Sequence, residues 1–460
     1  MKYQHKISLL LVLCCFLSCG ASTPEIEPTI NGDYTSLLCV KKNGKFGYVN
    51  EYGKEVIPCQ FDFPSFFQEG LVSLKKGKNW AYYNARGEKV LDLKNRFTYC
   101  GAFQDGVAFV SSAKLKKGIL PNYVAFYEDL CPELQFINKQ GELLFKKGKK
   151  WDFDCYPIPK QGYSDGMLKL KKKTEDGQRI GFIDKHGELK IPFEHYRRGI
   201  SISDFNEGLA VRRETTVISK GVFSTKVGYI NQTGDWELPP IYRKAHPFNQ
   251  GVAVIWEPIP NEKLAYKHYL INTSGELVFP PDVETNNRRL RDNLVAVYKT
   301  RRNDKGREVF GSYGQYRRYA LANIDGTMIT DFKFAVLEAG KTPNSLWTAA
   351  LPDSKDIGFI DDTGAVVIPY QYPRCIQGFQ NGLAVVTLKD QEGMAVINSS
   401  GDIVLPPAGK TNYHLQGNGG VIFVTDEDGN KSFYNKDGQV INLDAYEPYG
   451  LFHFLSLKED

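Results

Sequence analysis

The sequence predicts an all-β fold, a tandem array of about ten β-meander or hairpin repeats, open and superhelical or propeller-like. Three observations carry this. The signature apolar–apolar–Asx–X–X–Gly, followed by a short apolar run, occurs ten times. A second signature, aromatic–X–X–Gly before an apolar strand, stands upstream of most copies. No stretch of the mature chain has the period of a long amphipathic helix. A spacing of about 34–54 residues between copies makes the 460-residue chain one modular array, not several unrelated domains.

The chain opens with Met1-Lys-Tyr-Gln-His-Lys6, a basic segment, then an apolar stretch from Ile7 to Leu17. That length suits export and is too short for a permanent spanning helix. It ends Phe16-Leu17-Ser18-Cys19-Gly20, which resembles a bacterial lipobox with Phe16 in the usual Leu position. The resemblance implies a signal peptide over 1–18 and diacylation of Cys19; an ordinary signal peptide with an incidental cysteine is the alternative. Residues 19–34 read as a polar tether. Six further cysteines, Cys39, Cys59, Cys100, Cys131, Cys155 and Cys375, form no CxxC pair or His-linked metal spacing. Either disulfides in an oxidising compartment or buried thiols account for them. The formal charge is +5, and without leader residues Lys2 and Lys6 about +3, too small to imply nucleic acid.

The Asx positions are Asn50, Asn84, Asn138, Asp184, Asn231, Asn272, Asn323, Asp361, Asn398 and Asn435. Three residues later come Gly53, Gly87, Gly141, Gly187, Gly234, Gly275, Gly326, Gly364, Gly401 and Gly438. The Asx side chain accepts backbone N–H groups ahead of it and opens a type I turn; the glycine takes the left-handed conformation that closes the hairpin. The upstream signature runs Phe67–Gly70, Phe103–Gly106, Tyr163–Gly166, Phe205–Gly208, Phe248–Gly251 and Phe379–Gly382, with Leu290–Asn293 a degenerate copy. A unit therefore has a turn, strand one, a connection, strand two, the Asx turn and strand three. Pro58, Pro192, Pro239, Pro280, Pro369 and Pro406 are expected to end strand three, before a fourth segment with an aromatic such as Phe61, Tyr196, Tyr242 or Tyr372. The array spans 35–442, with 443–460 a C-terminal cap or tail. Propellers typically have four to eight blades, so ten units favour an open or superhelical array, with two small rings as the alternative.

The pattern resembles the WG-repeat (KWG) family of bacterial proteins. Its best match is Lys78-Asn-Trp80-Ala-Tyr-Tyr-Asn84-Ala-Arg-Gly87; others are Lys45–Asn50, Ile180–Asp184, Val227–Asn231 and Ile357–Asp361. Only Trp80 fills the slot of the naming tryptophan. The resemblance implies an architecture more than an activity.

No HExxH, GxSxG, Walker A or strand–helix GxGxxG motif is present, so the sequence gives no catalytic residues, metal ligands or cofactor. The informative irregularity is insertion. Spacings between Asx turns reach 54, 46, 47, 41 and 51 residues, and the additions fall between strands one and two. They are Lys114–Gln135, Lys171–Arg179, Arg213–Lys226, Glu257–Lys267 and Lys299–Arg318. Such loops share one edge of an array, where binding resides. The last is basic and aromatic, and Arg301, Arg302, Tyr313, Tyr316, Arg317 and Arg318 are its candidate partner-binding residues. The expectation is an exported, lipid-anchored binding or assembly module of the bacterial cell envelope, at the outer membrane facing periplasm or cell surface. Its partners would be the membrane, through the lipid, and an envelope protein or anionic polysaccharide. An envelope enzyme with paired carboxylates and a plain structural spacer are the alternatives.

Overall fold

The computed structural model describes residues 37–448, except 66, 114–132, 147–154, 158–161, 176, 197–200, 220–221, 259–265, 286–289, 301–316, 353 and 416–420. Within these residues every regular element is a strand, and the strands form ten small antiparallel sheets, one per unit. The first sheet holds Leu37–Lys42, Lys45–Asn50 and Glu55–Phe61; the second Leu71–Lys76, Asn79–Asn84 and Lys89–Lys94.

Each strand one carries a nearly unbroken apolar run, as in Leu294–Tyr298, where all five residues are buried. Such runs belong to strands covered on both faces. The cover is the neighbouring sheet. Tyr48, Ile57 and Phe61 of the first sheet pack on Val72 and Leu74 of the second. The same arrangement recurs around the molecule, giving ten clusters for ten sheets. The tenth cluster joins the ends of the chain: Leu38, Val40 and Val49 pack on Val421, Phe423, Phe433 and Ile441. Glu447–Pro448 then adds a strand to the first sheet, with Val40 opposite Pro448 and Lys41 opposite Glu447. Lys41 Nζ lies 3.5 Å from the Glu447 carboxylate.

The array is therefore one closed ring, and the favoured open or superhelical arrangement is corrected. Ten sheets close because the last pairs with and packs on the first. Glu447–Pro448 lies in the stretch read as a C-terminal cap or tail, and it pairs with the first sheet.

The ten Asx-turn glycines all have positive φ. In nine copies the Asx oxygen accepts the N–H groups two and four residues on, as Asn50 Oδ1 does from Tyr52 and Lys54 at 3.1 and 2.9 Å. An eleventh turn of this kind, Asp426–Gly429, closes the strand-one to strand-two connection of the tenth sheet. The upstream turns go further than the sequence suggested: the residue before the glycine is also left-handed, as at Glu69 (φ 48°) and Gly70 (φ 78°). Two successive positive φ values make a two-residue type I′ hairpin, whose twist matches that of the strands. The degenerate copy keeps this geometry at Asp292 and Asn293 (φ 49° and 66°).

Pro406 ends strand three as expected, since Ile403–Leu405 stops directly before it, but four other prolines do not. Glu55–Phe61, Leu189–Tyr196, Trp236–Tyr242 and Val366–Tyr372 run straight through Pro58, Pro192, Pro239 and Pro369. Each is an edge strand, and the register shifts at the proline, so the missing N–H leaves no ladder bond unmade. The expected fourth segment is the far half of the same strand, with Phe61 opposite Phe46 and Tyr242 opposite Val227. Strand two accommodates the bulge with a glycine: a Cβ on Gly47 would stand 2.5 Å from the Ile57 carbonyl oxygen.

Candidate functional site

Strand one leaves the type I′ turn and strand two returns to the Asx turn, so both turns lie on one face of the ring. The strand-one to strand-two connections lie on the other.

On the turn face, adjacent units are tied turn to turn. Glu69 accepts the Gly106 N–H at 3.2 Å, Asp105 that of Gly166 at 2.5 Å, Asp165 that of Gly208 at 2.7 Å and Glu207 that of Gly251 at 2.8 Å. Gln250 accepts the N–H of Asn293, Asp292 that of Asn344 and Thr342 that of Asn381. Lys139 and Lys185, each just after an Asx, add ion pairs back to Glu69 and Asp105 at 2.8 and 3.1 Å. These carboxylates hold the ring. At the degenerate turn the tie is stronger: the buried Arg291 guanidinium donates to the Ser345 carbonyl and to Asp362, and stacks over Trp347 at 4.7 Å. Asp362 also accepts the Trp347 indole N–H at 2.9 Å.

The predicted site residues fall elsewhere or beyond view. Cys19 and residues 301–316, including Arg301, Arg302, Tyr313 and Tyr316, lie outside the described residues. Arg317 and Arg318 do not belong to a loop; they begin strand two, Arg317–Asn323. Arg317 is half-buried, its guanidinium 4.3 Å above the ring of buried Tyr298, whose hydroxyl meets Glu284 at 3.2 Å. Two of the five insertions are also lengthened hairpins rather than loops: Thr174 pairs with Gly177, and Ala210–Ser219 pairs with Val222–Ile230. Cys39, Cys59, Cys100 and Cys375 are free thiols. Burial pushes Cys39 up to about 12 and Cys59 and Cys375 up to about 11, so none is a ready nucleophile.

Sequence reading missed a cleft on the connection side between the fifth and sixth sheets. It has a volume of about 260 Å³, bounded by Ser201, Val211, Arg213, Val227, Lys244, Ala245, His246 and Trp256. Arg213 and Trp256 occupy one repeat position: each stands five residues past its type I′ glycine, Gly208 or Gly251, on neighbouring strands one. Lys244 is paired in register with Trp256, and its Nζ sits 4.2 Å from the ring centroid. His268 meets the indole edge-on at 4.6 Å and Tyr266 lies 6.0 Å away, which fixes the ring. Among the described residues, two cations, one indole and no carboxylate line this cleft. The signal available in the sequence was Trp256, an indole where other units carry Lys75, Lys171 or Arg213.

Four stretches, residues 46–80, 180–211, 228–255 and 357–391, match the family model described as WG containing repeat. Three of the four contain the strand-two glycine over the bulge, at Gly47, Gly181 and Gly358, and the other begins at Gly228. Each matched stretch runs from strand two of one sheet into strand one of the next, and Ser201, Val211, Lys244, Ala245 and His246 of the cleft lie in two of them, while Arg213, Val227 and Trp256 lie just outside. No curated protein matches the chain. Similar solved structures include uncharacterized protein lmo1340 from Listeria monocytogenes EGD-e (9% identity, 75% of this chain and 93% of that one, TM-score 0.28). Others are apo AztD from Citrobacter koseri (12%, 67% and 93%, 0.21) and the β-propeller domain of the Trilobed protease from Pyrococcus furiosus (13%, 63% and 97%, 0.26). Likeness at this level carries no inference about function.

Proposed function

We propose that this protein is an exported, lipid-anchored ring that acts as a binding or assembly module at the bacterial cell envelope. The observation that carries the binding role is the division between faces. The turn face commits its carboxylates to the turn-to-turn ties. The opposite face receives the insertions and the cation-lined cleft. Rigid sheets that present variable connections along one face suit recognition. The leader and Cys19 support export and anchoring.

Two experiments test the reading. Cys19→Ala should move the protein from the membrane fraction to the soluble fraction; unchanged membrane partition sinks the anchor. Affinity capture from envelope extract should return partners that are lost when residues 301–316 are replaced by a short Gly-Ser linker between the strands ending at Thr300 and beginning at Arg317. Capture of the same partners by the folded variant removes that segment from the proposal.

A further inference from the structure

We propose that the cleft between the fifth and sixth sheets binds an acidic sugar residue, a hexuronate, of an envelope glycan. The inference rests on the binding-module reading and gives it a ligand class.

The argument starts from the walls. Trp256 supplies a flat apolar surface, and the C–H face of a pyranose ring stacks on such a surface. Lys244 Nζ sits over that indole, so a pyranose that stacks there displaces the ammonium, which then meets the sugar's carboxylate. Arg213 approaches from the neighbouring sheet and offers the forked donor geometry that a carboxylate accepts. Ser201 and His246 add polar groups for hydroxyls. A ligand complementary to all of these has an apolar ring face, several hydroxyls and one carboxylate. Among the described residues no Asp or Glu lines the cleft to repel that carboxylate. The volume of about 260 Å³ suits one sugar ring, and the open position lets a polymer enter and leave. A bare phosphate or sulfate would leave the indole unused; a neutral hexose would leave both cations unused.

The test uses the mature chain and three probes: a glucuronate-containing oligosaccharide, the matched glucose oligosaccharide and inorganic sulfate, titrated calorimetrically. Binding of the uronate alone, weakening as salt rises, is the expected result. Lys244→Gln and Arg213→Gln change exposed positions and leave the core intact. Each should lower uronate affinity by about tenfold, the scale of one charge-assisted bond. Trp256→Leu should weaken it while the two cations remain. Equal binding of the glucose oligosaccharide, sulfate binding unaffected by Trp256→Leu, or no uronate binding would each overturn the proposal. If uronate fails while the wild-type protein still captures envelope partners, the ligand class falls and the binding-module reading survives. If neither binds, the wider reading falls too.

Discussion

A Cβ built on Gly53 would stand 2.7 Å from the carbonyl oxygen of Asn442. The Asx turn of the first unit is thus seated on the chain just past the turn of the tenth. The same seat recurs between successive units: an added Cβ would clash with the Val56 carbonyl oxygen at Gly87, and would stand 2.9 Å from that of Val278 at Gly326 and 2.7 Å from that of Val404 at Gly438. A glycine is required here twice over, for its positive φ and for the neighbouring sheet's backbone.

The two requirements separate by mutation. Gly106 has φ 74° but nothing within 4 Å of an added Cβ. Gly106→Ala should therefore cost only the left-handed strain, about 1 kcal/mol. Gly87→Ala adds a clash with the Val56 carbonyl and should cost roughly 3 kcal/mol. Midpoints of urea unfolding rank the two; equal shifts would mean that the Asx turns do not seat on the preceding sheet.

The Arg291 tie predicts an asymmetry. Asp362→Ala leaves a buried guanidinium with the Ser345 carbonyl, its stacking on Trp347 and the more distant Asp292 carboxylate at 3.9 Å, and should cost about 3 kcal/mol. Arg291→Met removes the charge and keeps an apolar chain over Trp347, and should cost about 1 kcal/mol. The reverse order in urea unfolding would show that the ion pair is not what joins these two sheets.

Acid should loosen the aspartate turns selectively. Burial raises the carboxyls of Asp184 and Asp361, but accepted hydrogen bonds outweigh it. These are N–H groups of Glu188 and His186 with the Lys190 ammonium for Asp184, and the Thr363 hydroxyl with the N–H groups of Ala365, Thr363 and Gly364 for Asp361. Both are held below the ordinary 3.8. A carboxyl depressed in the folded state gives stability that is present above the unfolded value and lost as pH falls through the folded one. Asp361→Asn keeps the turn acceptor and removes that titration. Wild type should lose more stability than the variant between pH 5 and pH 2; parallel pH profiles would contradict this.

The turns were legible because they are local: an Asx oxygen and a glycine three positions apart dictate their own hydrogen bonds. Leu290–Asn293 was legible as a turn for the same reason, since Asn tolerates positive φ. Ring closure was not. Whether ten sheets close depends on the small rotation between neighbours, and the deciding contact joins Val40 to Pro448 across nearly the whole chain. Pro58 misled because its cost depends on which side of the strand is paired, and a sheet edge hides that from the sequence. The cleft was half legible. Arg213 and Trp256 share a repeat position, but that they meet across a gap follows only from sheet five packing beside sheet six.

Closure is the claim on which both faces and the cleft depend, and zero-length carbodiimide crosslinking of the native protein tests it most directly. Lys41 and Glu447 stand 3.5 Å apart across the seam, while Lys139 and Glu69, 2.8 Å apart, join adjacent units and serve as the internal control. Mass spectrometry of the monomeric fraction should find both amide links. The Lys139–Glu69 link without the Lys41–Glu447 link would mean that the ring is open.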